Sequence, residues 1–177
     1  MTQLSLFNQD TELLARIREA LTRLEFRSAE ELCWRYADFP GVRPLSWELD
    51  LLKFEKEHSR RTLGLDEGVH LWERFRSQPF FGTIPPFYAK QVENHYFSRL
   101  LAANRSLFDS VRTPKGNSLG EIYLRAGQLK SARRWLEKEI RETGESWRTR
   151  LQLGNCSLRL GNQSTARINY IWAFLSG

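Results

Sequence analysis

The sequence predicts an all-α protein of antiparallel helical hairpins, about nine helices in all. Three observations predict it: a segment that recurs after 34 residues, apolar side chains spaced three and four apart, and the absence of any alternating strand pattern. The chain has 177 residues, 41% of them hydrophobic, with six Trp, eleven Phe and five Tyr, enough to build a packed core and too apolar for extended disorder.

The elements follow in order. Residues 1–10 read as a tail. A first helix is expected from Thr11 to about Leu24, with Leu13, Ile17, Leu21 and Leu24 on one face. A second is expected to start at Ser28, where Ser28 and Glu31 have capping-box spacing, and to stop before Pro40. Phe39–Pro44 is a turn, and a third helix from about Ser46 to His58 buries Trp47, Leu51 and Phe54. Gly64 and Asp66 introduce a fourth, carrying Val69, Trp72 and Phe75. Pro79, Gly82, Pro85 and Pro86 break helical structure between Gln78 and Pro86, and Phe80 and Phe81 are expected to cover a seam between helices there. A long fifth helix to about Leu107 is marked by Tyr88, Val92, Tyr96, Leu100 and Ala103, and the Thr113–Gly116 turn follows it.

The repeat lies in the last third. Leu119–Arg133 aligns without a gap on Leu153–Arg167, and Leu, Gly, Leu, Arg, Gly, Ala and Arg coincide. Gly120 and Gly154 are placed where one helix touches its partner too closely for a Cβ. Gly127 and Gly161 are placed where a helix ends in the left-handed conformation. Ala132 and Ala166 are the small residues that let the second helix approach the first. Upstream, Leu21–Ala29 echoes Leu124–Ala132 but lacks both glycines, as a divergent hairpin would. With this period, a Leu-Gly pair, Tyr123 three residues after Gly120, a turn Gly and a later Ala, residues 114–177 resemble the tetratricopeptide repeat family. The second copy departs from that pattern at Ser157, and neither copy carries the family's terminal Pro.

The resemblance implies a right-handed solenoid whose first helices line a groove for a partner peptide. The matching groove positions are Asn117, Glu121, Leu124 and Arg125, then Arg148, Leu151, Asn155, Leu158 and Arg159. Arg125 and Arg159 recur at one repeat spacing and are suited to acidic groups. The organisation expected is a tail at 1–10, divergent hairpins over 11–110 and two paired repeats over 111–177.

Within the tail, Gln3, Leu4, Ser5, Leu6 and Phe7 resemble the peptide by which bacterial proteins dock on the DNA polymerase sliding clamp, at all five positions. That resemblance implies a replication or repair accessory role, with Gln3 hydrogen-bonded and the Leu and Phe side chains filling an apolar cleft.

The net charge of +6, with 21 of 27 basic residues Arg, raises direct nucleic-acid binding as a further reading. Acids interleave with the arginines, as in Arg133–Glu139, which favours solvated helix faces instead. Glu137, Glu139 and Glu142 are read as part of such a face. His58, His70 and His95 are isolated, Cys33 and Cys156 have no neighbouring His, and no phosphate-cradling loop is present. No catalysis, metal or cofactor is therefore expected. The two cysteines are read as buried thiols, which with the lack of a secretory leader or membrane span points to the cytoplasm. The final helix, with Ile168, Tyr170, Ile171, Trp172, Phe174 and Leu175, is apolar nearly all round, which fits either a piece of a longer protein or a face that pairs with another subunit; self-association through it is the expectation.

Overall fold

A computed structural model describes the backbone of residues 3–58, 63–105 and 110–177, and their side chains apart from residues 3–8, 55, 57 and 58. Among these residues nine α-helices run in order: α1 Gln3–Thr22, α2 Phe26–Ala37, α3 Trp47–His58, α4 Leu65–Arg76, α5 Pro86–Ala103, α6 Leu119–Arg125, α7 Leu129–Thr143, α8 Trp147–Arg159 and α9 Gln163–Ser176. A 3-10 turn at Pro79–Thr83 separates α4 from α5, and one isolated bridge pairs Arg112 with Ser118. No described helix is long and apolar enough to cross a membrane.

The chain forms two compact units, Met1–Thr62 with Leu71–His95, and Leu63–His70 with Tyr96–Gly177. In the first, Leu13, Ile17, Leu21 and Leu24 are buried as their helical spacing requires, and α1, α2 and α3 pack together. Phe54 and Phe75 stack at 4.0 Å between ring centroids, and Phe81 meets Phe75 and Trp72 edge-on. Phe80 and Phe81 thus fold back onto α4, as a seam-covering pair does.

Helix boundaries differ from expectation in three places. The first helix begins at Gln3 rather than Thr11. No Pro or Gly lies between Gln3 and Thr11, and once a helix is nucleated each further residue adds a hydrogen bond. The second begins at Phe26, with Glu25 at its cap and no side-chain cap bond, which places Ser28 inside the helix and removes the Ser28/Glu31 capping box. The fifth stops at Ala103, and Leu107, where it was expected to end, lies outside the described residues. Ala103 is exposed, and Phe97 and Leu101 join Val92 and Leu100 in the buried face.

The hairpins α6–α7 and α8–α9, in the second unit, close in the same way. Gly127 and Gly161 have φ of 74° and 79°. At the first turn Gly127 N–H donates to Leu124 O and Gln128 N–H to Tyr123 O. At the second, Gly161 N–H donates to Leu158 O and Asn162 N–H to Ser157 O. These are the two bonds of the Schellman helix ending, reproduced 34 residues apart. A Cβ on Gly120 would stand 2.5 Å from Leu136 Cγ and 3.0 Å from its backbone N, and one on Gly154 would stand 2.6 Å from the Tyr170 ring. The close-approach partners are themselves one repeat apart. Ala132 and Ala166 are buried beside these crossings.

The divergent hairpin uses the same ending. Leu24 N–H donates to Leu21 O and Glu25 N–H to Ala20 O, and Leu24 holds φ 59° where the repeats have glycine. A left-handed conformation costs a side-chain-bearing residue about 1–2 kcal/mol. Burying a leucine returns about 1.5–3 kcal/mol, so Leu24, 8% exposed, is retained for its packing.

Two expectations follow for stability, both checked by chemical denaturation. Gly120→Ala should destabilise by about 1–3 kcal/mol, because the new methyl meets backbone as well as a side chain; Gly154→Ala, opposed only by a ring that can shift, should cost less. Leu24→Gly should be milder than Leu24→Ala by about 1 kcal/mol, since both lose the burial and only Gly relieves the strain. The reverse order in either pair would contradict these packing assignments.

Candidate functional site

The exposed surface of α6 and α8, which carries the expected groove positions, is the candidate partner surface. Ser118 caps α6, its hydroxyl accepting from Glu121 N–H at 3.3 Å, and Asn162 caps α9 through Thr165 N–H at 3.1 Å. Leu124, Ala132 and Leu136 pack with Leu153 and Cys156 of α8 into one apolar cluster, with Ile140 against it, so the two hairpins lie side by side.

Within that frame the predicted groove residues fare differently. Asn117 donates from Nδ2 to Asp66 Oδ1 at 2.6 Å and belongs to a structural network. Arg125 stacks its guanidinium 4.3 Å from the Phe97 ring centroid. Arg159 donates to Leu124 O at 3.1 Å, tying the end of α8 to the end of α6. Asn155 accepts from the Tyr170 hydroxyl at 2.9 Å. The two repeat-related arginines are therefore engaged within the protein and do not form a ladder for acidic groups. Glu121 is half-buried, while Leu151, Leu158 and Arg148, the last over the Trp147 ring, are exposed. Of Gln3–Phe7 only the backbone is described, within α1; the side chains of the clamp-like peptide lie outside the described residues.

The Asp66 network holds the start of α4. Asp66 accepts from the Thr113 hydroxyl, from Asn117 and, at 3.1 Å, from Lys115 N–H. Partial burial opposes its charge, but these donors and the Lys115 ammonium outweigh burial and hold the carboxyl below the usual 3.8.

Two buried carboxylates were not legible as such in the sequence. Glu139 is 1% exposed, which corrects its assignment to a solvated face. It accepts from Arg112 at 2.7 Å and from the Ser118 hydroxyl, with Thr149 at 3.5 Å, so one side chain joins α6, α7, α8 and the preceding loop. Glu137 and Glu142 do lie on the surface, paired with Arg133 and Lys138. Glu48, fully buried in the first unit, accepts from Arg18 at 3.1 Å and Arg43 at 2.7 Å. Arg18 and Arg112, 30 and 27 residues from the acids they pair with, help to distinguish these glutamates from exposed ones.

The first unit holds a cleft of about 420 Å³ lined by Cys33, Trp34, Val42, Pro44, Leu49 and Leu52, among others. Trp34 is 71% exposed on its rim. Cys33 is buried, and desolvation, reinforced by Glu48 and Glu30, pushes its thiol up to about 11. Cys156 is also free, donating to Leu129 O at 3.1 Å, and burial raises its thiol as well. The described residues contain no cluster of His, Cys, Asp or Glu able to hold a metal. Comparison with protein-family models, with curated proteins and with solved structures found no match.

Leaving a buried charge without its partner costs about 3–5 kcal/mol, so Arg112→Ala, which strips buried Glu139 of its arginine, should unfold the second unit at markedly lower denaturant, while Glu137→Ala should change stability by under about 0.5 kcal/mol. For Asp66 the folded value lies below the unfolded one. Its contribution is complete above the ordinary aspartate range and is lost as pH falls through the depressed value. The stability gap between the wild type and Asp66→Asn should accordingly narrow in acid, as followed by thermal melts across the pH range; a gap that widens there would contradict the network.

Proposed function

We propose that this chain is a protein-interaction module of the tetratricopeptide-like type, whose paired hairpins α6–α7 and α8–α9 form part of a right-handed solenoid and present a surface to a partner peptide. The observation that carries the reading is the repetition of one hairpin closure 34 residues apart, with glycine opposite Leu136 and Tyr170. Helices held this close and in this register form a side-by-side array, the geometry on which repeat proteins build extended binding surfaces. The polar positions first expected to bind are largely satisfied internally, so the partner contact rests on apolar groups, Leu151 and Leu158, with Arg148 exposed on the same helix α8. The Trp34 cleft is a second apolar surface suited to an aromatic or aliphatic anchor.

A second reading rests on a separate observation, the five-position match of Gln3–Phe7 to the sliding-clamp peptide. Because that backbone forms the first turns of α1, docking requires those turns to unwind, which is inexpensive at a helix end. Direct nucleic-acid binding has weaker support. Arg18, Arg43, Arg112, Arg133 and Arg150 pair with acids, and Arg125 and Arg159 are held by Phe97 and Leu124 O.

Selection of a random peptide library on the native chain tests the module. Enriched peptides should lose about 30-fold or more in affinity on Leu158→Asp with Leu151→Asp, the size of a hot-spot loss. Loss on Trp34→Ala alone would move the site to the first unit, and failure to enrich any peptide would remove the proposal. For the tail, purified clamp should retain the native chain and release Leu6→Ala and Phe7→Ala; equal behaviour of all three would dismiss docking.

A further inference from the structure

The first unit has a second cleft, of about 350 Å³, between α3 and the C-terminal half of α4. Three rings line it. Phe75 stacks on Phe54 with centroids 4.0 Å apart and meets Phe80 at 5.6 Å. Phe75 is buried, while Phe54 and Phe80 stay half-buried.

Two cations share the cleft with the rings. Lys53 comes from α3 and Arg74 from α4; both are exposed, and among the described residues neither enters an ion pair or rests on a ring. Elsewhere in this unit exposed cations with an acid in reach are paired: Arg23 with Glu19, Lys56 with Glu30, Lys90 with Glu93. Here Asp50, one turn before Lys53, lines the same cleft and takes neither cation. The backbone of Arg74 is nonetheless fixed, since the Ser77 hydroxyl at 2.8 Å and Gln78 Nε2 at 3.2 Å both donate to its carbonyl. Lys53 and Arg74 against Asp50 leave one positive charge in excess. Like charges sharing a cleft repel, and an anion between them removes that cost.

We propose that this cleft binds a small anion joined to a flat ring, of the nucleoside monophosphate or aromatic carboxylate kind, with the ring against Phe54 and Phe80 and the anionic group between Lys53 and Arg74.

Each part of the ligand has its counterpart. The volume lies at the lower end of the roughly 300–1,000 Å³ of small-molecule sites, enough for a ring with its anionic group. The guanidinium offers a planar fork to two oxygens, and the ammonium a compact charge beside it. Phenylalanine faces accept any flat ring, whatever its edge carries. The site is distinct from the α8 surface and the Trp34 cleft, and it stands whether or not those bind peptide.

Calorimetric titration of the full chain at low salt with adenosine monophosphate and with benzoate should give a Kd below about 1 mM for at least one, and the tighter probe identifies the source. Analogues lacking the ring (ribose phosphate, acetate) or the charge (adenosine, benzamide) should bind at least about 10-fold more weakly. Lys53→Gln and Arg74→Gln should each weaken the complex about 10-fold, while Asp50→Asn, which removes a like charge, should tighten it about 3-fold, all with unchanged melting temperature. Binding of neither probe, full retention in both Gln variants, an analogue as tight as its parent, or weaker binding on Asp50→Asn would each overturn the proposal.

Discussion

The spacing between helices in the paired hairpins is set where a backbone meets a side chain with nothing between them. At Gly120 and Gly154 the absent Cβ lets the first helix of each pair lie directly on Leu136 or Tyr170. Much of the second unit depends on that separation. It brings Ala132 and Leu136 into one cluster with Leu153 and Cys156, and it brings Glu139 within reach of Ser118 and Thr149. A wider crossing would leave a buried carboxylate without donors, and a buried charge is tolerated only when it is paired.

Both units place one deeply buried glutamate among arginines and bonded neighbours, Glu48 with Arg18 and Arg43, Glu139 with Arg112. Such pairs contribute little net stability, since desolvation offsets most of the attraction. They do penalise any packing that separates the partners. In the first unit the Arg18 guanidinium also rests over the Trp47 and Tyr88 rings, so one side chain orients two aromatics and one acid. These contacts bear on function by subtraction: an arginine engaged with a ring, an acid or a carbonyl is not displayed to a partner. Among the groups left on the surface are large apolar side chains, at Trp34, Leu158 and along α9.

Much of the fold was legible before any coordinates. The helical spacing of Leu13, Ile17, Leu21 and Leu24 names a face that is buried, and Gly127 and Gly161 occupy left-handed positions as their place after a helix implies. Local rules read well there because each position answers to its own few neighbours. They read less well at Leu24, which adopts a glycine's conformation because the burial of its side chain outweighs the strain. They also misplaced Glu139, whose exposed-looking spacing beside Glu137 and Glu142 carries no mark of the distant arginine that receives it.

By itself the sequence determined the helical character of the chain, the period of its last two hairpins and the positions where only a small residue fits, because these follow from spacing and from the volume of single side chains. Only the tertiary structure decided which polar groups are spent internally and which surface is left bare. That outcome depends on which residues, far apart along the chain, come within hydrogen-bonding reach, and on no property of a segment taken alone.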